Sequence, residues 1–237
     1  MIHLIRKFWI TLLAGGMSLA SFKVFPAPAA NAEEEEASAR LVAVGVKSFV
    51  ESQVASRMTA LQDLSGLASS RQSAETWKRQ ATLVMQGHPD IRILLWVDPA
   101  RQALAALTQS GSWAALLESE QARETLFLAR SLGLPRGVTF AGSSDLFLCV
   151  PIVSGGEFTG WVVAIVDSAR FLDGTLRSAA LTYSIALYSK DCALYRRDDS
   201  APGVRRSWRH MAAVRLPGTL WLLDVWPRST AAEEFTI

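Results

Sequence analysis

Apolar residues recur at steps of three and four along a Pro-free stretch between residues 37 and 70. They are Val42, Val46, Phe49, Val50, Val54, Met58, Leu61, Leu64 and Ala68. This spacing places them on one side of an α-helix, because the helix repeats every 3.6 residues. At a rise of about 1.5 Å per residue, such a helix is on the order of 50 Å long. Residues 37–70 are therefore predicted to form one amphipathic helix along the side of a domain.

The next segments predict a second helix followed by a buried strand. Ser73 is a typical N-terminal cap and Gly87 is a typical helix end, so the stretch between them is predicted to be helical. Residues 91–97, IRILLWV, lie between Pro89 and Pro99 and are too few for another helix. This apolar run is predicted to be a buried strand, paired with the segment that follows the turn at Pro99.

A third helix and three more strands complete a first unit. Residues 112–132 are predicted to be one helix that starts after a Ser112 cap and stops at Gly133. Three segments rich in β-branched and aromatic residues follow, at 137–144, 146–153 and 160–167. Glycines between the last two predict a hairpin. This order of a strand pair, helices and three antiparallel strands is that of a PAS-like unit, which we assign to residues 71–168.

The pattern repeats in a shorter form towards the C-terminus. Residues 169–180 predict a short helix. Four strand-like segments follow, at 182–190, 192–197, 207–216 and 220–227. We assign a smaller sheet unit to residues 169–228 and a tail to residues 229–237. The predicted fold class is α+β, with a long N-terminal helix followed by two PAS-like antiparallel-sheet units with covering helices.

The first 32 residues predict export. Arg6 and Lys7 precede an uncharged run at 8–22, and the small residues Ala30 and Ala32 suit a cleavage site. The segment is either a cleaved signal peptide or, over residues 8–32, a membrane anchor. Both alternatives predict an extracytoplasmic, periplasmic location. With an anchor in the inner membrane, the unit at 71–168 would be membrane-distal and the smaller unit membrane-proximal.

Composition and charge narrow the class of partner. Half of the residues are hydrophobic and eight are tryptophan, which indicates a packed globular protein and not a disordered one. Without residues 1–32, the chain has 21 basic and 22 acidic residues. A nearly neutral body does not favour binding to nucleic acid.

The two cysteines leave one question open. Cys149 lies in a strand-like apolar run and Cys192 in a polar turn region. An oxidising compartment would permit a disulfide between them. The alternative is that both are buried free thiols that pack as small apolar residues.

Catalytic and metal-binding motifs are not found in the sequence. His3, His88 and His210 are scattered, so they predict neither a zinc site nor a histidine-based triad. His88 is better explained as a cap at the turn before Pro89. The sequence also contains no Gly-x-Ser-x-Gly motif and no phosphate-binding loop. We therefore expect no enzyme activity, no metal and no cofactor.

The order of motifs resembles the extracytoplasmic sensor domains of bacterial receptors, of the CHASE-like and PAS-like (Cache-type) kind. The resemblance rests on HPDIRILLWVDP at 88–99, ARETLFLARSLGLPRGVTF at 122–140 and LFLCVPIVSGGEFTGWVVAIV at 146–166. It covers roughly residues 37–228 and implies a small-molecule pocket. Receptors of this kind continue into a second membrane helix and an output module, but no second apolar run follows residue 228. We expect a stand-alone sensor or a truncated receptor.

A pocket in a PAS-like unit lies between the sheet and its covering helices, with apolar walls and a few polar anchors. The candidate ligand-binding residues are Trp96, Arg123, Asp145 and Trp161. Each tryptophan is also explained as a core residue. Arg123 is also explained by a surface ion pair with Glu120 or Glu124.

Two functions follow from these patterns. The first is a small-molecule sensor domain in which the ligand shifts the population of two packings and the long helix carries the change. A homodimer through the Val42 to Ala68 stripe is expected with it, since a lone amphipathic helix exposes apolar surface. The alternative is a periplasmic interaction or assembly protein that binds another protein.

Overall fold

The computed structural model describes residues 32–70, 73–109, 112–140, 143–176, 183–190, 192–197 and 209–227. The helices are α1 (Ala32–Ser69), α2 (Ala74–Gly87), α3 (Ala114–Glu118), α4 (Glu120–Leu132) and α5 (Ser168–Leu176). The strands are β1 (Ile91–Val97), β2 (Ala103–Thr108), β3 (Arg136–Thr139), β4 (Asp145–Ser154), β5 (Glu157–Asp167), β6 (Tyr183–Ser189), β7 (Cys192–Arg197), β8 (His210–Leu216) and β9 (Thr219–Pro227).

The strands form two antiparallel sheets. The first has the order β2-β1-β5-β4-β3, and the second has the order β7-β6-β9-β8. β1 and β5, two inner strands of the first sheet, are apolar along nearly their whole length because both faces of that sheet are covered. The structure therefore confirms the predicted α+β class, with a long helix and two PAS-like units.

α1 packs its apolar stripe against both sheets. The buried residues of the stripe are Val46, Val50, Val54, Met58, Leu61, Leu64 and Ala68. They share one core with Leu148 of the first sheet and Trp221 of the second. Backbone contacts add to this packing, since Ser65 Oγ donates to Pro151 O at 3.1 Å. The amide of Arg215 donates to Glu51 Oε1 at 2.8 Å.

The burial of this stripe removes the reason given for a homodimer through it, and the homodimer itself stays a prediction. The prediction assumed that a lone helix exposes its apolar side. In the structure, none of the buried stripe residues is more than 7% exposed, because the chain's own sheets cover them. The apolar side of α1 is therefore used within one chain.

A buried ion pair joins α1 to the first sheet. Arg57 Nε donates to Asp90 Oδ2 and Nη2 to Oδ1, both at 2.7 Å, and both residues are buried. Arg57 Nη1 also donates to Gln53 O at 2.7 Å. The guanidinium carbon lies 4.5 Å from the ring centre of Phe171 in α5. One side chain thus connects the long helix, the start of β1 and the helix that follows the first sheet.

The two sheets also meet directly. The amide of Gly137 in β3 donates to Pro217 O, in the turn between β8 and β9, at 2.6 Å. Trp221 Nε1 of β9 donates to Thr139 Oγ1 of β3 at 2.9 Å. The outer strand of the first sheet is therefore held by the β8–β9 hairpin.

The helix predicted over residues 112–132 is two helices. α3 ends at Ser119, which has an extended backbone (φ −62°, ψ 147°). Its side chain accepts a hydrogen bond from Ala122 N at 3.2 Å and so caps α4. The prediction was wrong because a serine that can cap a new helix competes with continuation of the old one. The predicted stop is confirmed, since Gly133 ends α4 in the left-handed region (φ 64°).

The two ends of the chain were predicted to be an export segment and a tail. The predicted export segment lies almost entirely in residues 1–31, and the tail in 228–237, outside the described residues. Among the helices that are described, none combines the length and the apolar character needed to cross a membrane.

His88 ends α2, with its amide donating to Val84 O at 2.9 Å. Desolvation by burial and the nearby Arg57 lower the pKa of its imidazole.

Both cysteines are free thiols. Cys149 is buried in β4 and Cys192 is half-buried at the start of β7, in the other sheet. The alternative of unpaired thiols therefore describes this structure, but only Cys149 is buried as that alternative predicted.

We expect Arg57→Met to destabilise the fold by about 3–5 kcal/mol, because it leaves the buried Asp90 carboxylate without its partner. Urea unfolding followed by circular dichroism measures this change. Arg123→Met is the control, since Arg123 forms an ion pair with Glu118 in which both side chains are more than half exposed. Its loss should leave the stability almost unchanged, because an ion pair in full contact with water contributes little. Equal losses in the two variants would contradict the importance of the buried pair.

Gly160→Ala should cost about 3 kcal/mol or more, since it combines backbone strain with a clash. Gly160 has φ +146°, and a Cβ atom there would lie 2.1 Å from Val97 O. Gly66→Ala, in α1, meets nothing within 4 Å and should stabilise the helix by about 0.5–1 kcal/mol. Thermal unfolding of both variants measures the two changes in stability, which should have opposite signs.

One thiol per folded chain should react with a disulfide reagent such as Ellman's reagent. Burial raises the pKa of Cys149 to about 12, so its reactive thiolate is scarce, whereas Cys192 is partly accessible. Unfolding in denaturant should release the second thiol. Absence of reactive thiols in the unfolded, unreduced chain would show that the two cysteines are bonded.

Candidate functional site

The first sheet has one face on α1 and α2 and the other on α3 and α4. The second of these faces is filled with apolar side chains. They are Ile93, Leu95, Val97, Leu117, Ala122, Leu126, Ala129, Phe140, Phe147, Cys149, Trp161, Val163 and Ile165. Polar side chains that could contact a ligand are therefore expected at the margin of this face.

Trp161 lies inside this apolar layer and fixes α4 to the sheet. Its Nε1 donates to Leu126 O of α4 at 3.1 Å. Its ring meets Phe158 edge-to-face at 4.6 Å between ring centres. The polar atom of Trp161 is thus already used within the fold, as expected for a buried tryptophan.

Trp96 lies on the opposite face of the same sheet. It packs against the core shared with α1 and α2, and its ring centre is 6.1 Å from that of Trp77. In the register of β1 and β5, Trp96 faces Val162 and Val97 faces Trp161. Trp161 lies opposite Val97, the residue after Trp96, and successive residues of a strand point to opposite faces of the sheet. The two predicted tryptophans therefore do not line one pocket.

Arg123 points away from the sheet. Its guanidinium forms an ion pair with Glu118 of α3, and 53% of its side chain is exposed. The ion pair suggested by the sequence is therefore present, but with Glu118 instead of Glu120 or Glu124. Arg123 is not brought near Trp96, Asp145 or Trp161 by any contact that the structure describes.

Asp145 occupies the margin of the α4 face. It begins β4, and alternation places it on the same side as Phe147 and Cys149. Its Oδ1 accepts a hydrogen bond from Arg92 Nη2 at 2.5 Å. Its amide donates to Ser143 Oγ at 3.0 Å. The side chains of Arg92 and Asp145 are 28% and 15% exposed, so the ion pair is reachable from solvent.

Arg92 was not predicted from the sequence. It is the charged residue inside the apolar run IRILLWV, and the register of β1 against β5 shifts between Ile91 and Ile93. Such an irregularity lets a side chain depart from simple alternation. Its Nε is buried and has no hydrogen-bond partner within the described part of the chain. A lone arginine in a buried strand was the available sign of a candidate site residue.

A separate cleft of about 340 Å³ lies between the end of α2 and the end of β2. Its lining residues are Thr82, Met85, Gln86, Pro89, Leu107, Thr108 and Gln109. Their side chains are apolar or neutral and polar, so they supply no charged anchor. The amide of Gln109 donates to Arg92 O at 2.8 Å, which places the cleft beside the backbone of that arginine.

The titratable groups at or near this face include a buried thiol and an ion pair. Across the ranges that the structure describes, no three His, Cys, Asp or Glu side chains are grouped closely enough to hold a metal ion. Cys149, a possible nucleophile by residue type, has a raised pKa and lies in the apolar layer. The Arg92–Asp145 pair offers one positive and one negative group at adjacent points.

Sequence comparison finds no matching protein-family model and no significantly similar curated protein. Solved structures do match at low identity. One is an extracellular ligand-binding receptor from Desulfohalobium retbaense, with a TM-score of 0.60 and 10% identity over 79% of this chain. This chain spans 40% of that receptor.

Two ligand-binding domains of chemoreceptors match over nearly their whole length. For Campylobacter jejuni Tlp3 in complex with L-norvaline, the TM-score is 0.61 at 8% identity, covering 86% of this chain and 94% of that one. For the amino acid chemoreceptor PctB of Pseudomonas aeruginosa in complex with L-Arg, it is 0.58 at 14% identity, covering 86% and 100%. These neighbours are receptor domains and not enzymes. The chain has the fold of the extracellular ligand-binding domains of bacterial chemoreceptors, as the resemblance in its sequence predicted.

Proposed function

We propose that this protein is an extracytoplasmic small-molecule sensor domain of a bacterial signal-transduction receptor. The observation that carries the proposal is the fold, which matches chemoreceptor ligand-binding domains over 94% to 100% of their length. The match covers 86% of this chain. The export segment predicted at residues 1–32 supports a periplasmic location.

The ligand we propose is a small zwitterion of the amino acid kind. Arg92 can bind a carboxylate through two parallel N–H donors, and Asp145 can accept from an ammonium group. The two side chains form an ion pair at 2.5 Å, so each would exchange a protein partner for a ligand group of the same charge. The neighbours' ligands, L-Arg and L-norvaline, have this charge pattern.

The position of Arg92 suggests how binding would reach α1. Arg92 follows Asp90 by two residues, and Asp90 holds Arg57 of α1 through two hydrogen bonds. A ligand that pulls Arg92 away from Asp145 would favour one position of the start of β1. The population of α1 positions would change only as far as the ligand's affinity differs between them.

The test is the thermal unfolding of the purified chain with each of the common L-amino acids at constant ionic strength. A ligand that binds the native state raises Tm in proportion to the logarithm of its concentration. For the responding amino acid, Asp145→Asn should weaken the apparent affinity by roughly 10- to 100-fold, since a charge-assisted hydrogen bond is lost. Arg123→Ala is the matched control and should leave the affinity unchanged, because Arg123 points to solvent.

Two outcomes would count against this assignment. No response to any amino acid would reject the ligand class and favour the alternative of a protein-binding module. A response that survives Asp145→Asn, or is lost equally in Arg123→Ala, would place the ligand away from the Arg92–Asp145 pair.

A further inference from the structure

The second sheet has an ion pair in a place that corresponds to the one just described. β5 and β9 are inner strands of their sheets. Each lies beside the strand that precedes it in the chain, so β5 pairs with β4 and β9 pairs with β8. Asp145 begins β4, and Arg209 directly precedes β8. Arg209 pairs with Asp224 of β9, with 2.6 Å between Nε and Oδ2. Both sheets thus carry an Arg–Asp pair near the start of the equivalent hairpin.

Asp224 lies on the face of the second sheet that points away from α1. Its neighbours Leu223 and Val225 belong to the core under α1, so alternation turns Asp224 to the opposite side. Asp224 is only 1% exposed. Neither of its carboxylate oxygens has a hydrogen bond of regular geometry among the described residues, and Oδ2 is held by the ion pair with Arg209. Arg209 remains 46% exposed, and its interaction with the Asp224 carboxylate raises the pKa of its guanidinium.

Ser184 is a second buried polar group on this face. It is completely buried, and its Oγ has no hydrogen-bond partner within the described ranges. In the register of β6 and β9, Ser184 faces Trp226 and Ala186 faces Asp224. Ser184 and Asp224 are therefore diagonal neighbours on one face, about 7–8 Å apart at their Cα atoms.

Leaving these groups without partners is energetically unfavourable. A carboxylate oxygen or a hydroxyl that is removed from water without gaining a hydrogen bond raises the free energy of the folded state, and native proteins rarely accept this without a reason. Because the guanidinium of Arg209 is half exposed, it can turn to solvent and leave the carboxylate for another cation. The site then has two acceptors, Asp224 Oδ1 and Ser184 Oγ, on one side of the sheet.

We propose that this face of the second sheet binds a small primary amine. The ammonium group would donate to Asp224 Oδ1 and to Ser184 Oγ, and it would take the place of Arg209 as the counter-ion of the carboxylate. A primary ammonium has three N–H donors, which suit two buried acceptors. A quaternary ammonium has the same charge and no N–H donor, so the site should reject it.

The experiment compares ethylammonium chloride with tetramethylammonium chloride at equal ionic strength, using Tm of the whole chain as the readout. Ethylammonium should raise Tm with increasing concentration, and tetramethylammonium should not. Ser184→Ala should weaken the apparent affinity for ethylammonium roughly tenfold, because one hydrogen bond to a charged group is lost. Asp224→Asn should abolish the response.

Two controls distinguish this site from amine binding elsewhere on the chain. Asp173→Asn changes an exposed carboxylate on α5 and should leave the response unchanged. Asp63→Asn changes an exposed carboxylate on α1 and should also leave the response unchanged. Equal shifts from the two cations, or unchanged affinity in Ser184→Ala, would overturn the proposal. If Asp224→Asn does not fold, Ser184→Ala decides the result.

Discussion

The shared use of one face of α1 by two sheets is the constraint on which this structure depends. Each sheet needs an apolar cover on one side, and a single helix of 38 residues supplies that cover for both. The hydrophobic core therefore runs continuously from the first sheet to the second. A change in the position of α1 therefore alters the packing of both units.

The charged residues divide into those that hold this core and those that border it. Arg57 and Asp90 are fully enclosed and satisfy one another through two hydrogen bonds, so their exchange for a ligand would be costly. The Arg92–Asp145 and Arg209–Asp224 pairs each include a partly exposed arginine. A half-exposed arginine can return to water when another group takes its partner. Partial exposure thus distinguishes the binding candidates from the structural ion pair.

The sequence predicts the elements well because their periodicity is a property of neighbouring residues, visible without the fold. The break at Ser119 is harder to foresee, since an isolated serine in a helical pattern is usually tolerated. The site is predicted only in part, because the register between strands distant in the chain decides which side chains meet. Asp145 was selected from its place before a strand, but its arginine partner lies 53 residues away and two strands across the sheet. Trp96 and Trp161 are separated onto opposite faces by the same register.

The hydrogen bond between Gly137 and Pro217 has a consequence for how the protein behaves at high concentration. β3 is an outer strand of the first sheet, and an outer strand offers unpaired amides and carbonyls to any other strand nearby. The β8–β9 turn occupies this edge, and Gly218 lies close enough for a Cβ atom there to be 3.0 Å from Gly137 O. The same contact that joins the two sheets therefore hinders strand addition from another molecule at the β3 edge of the first sheet.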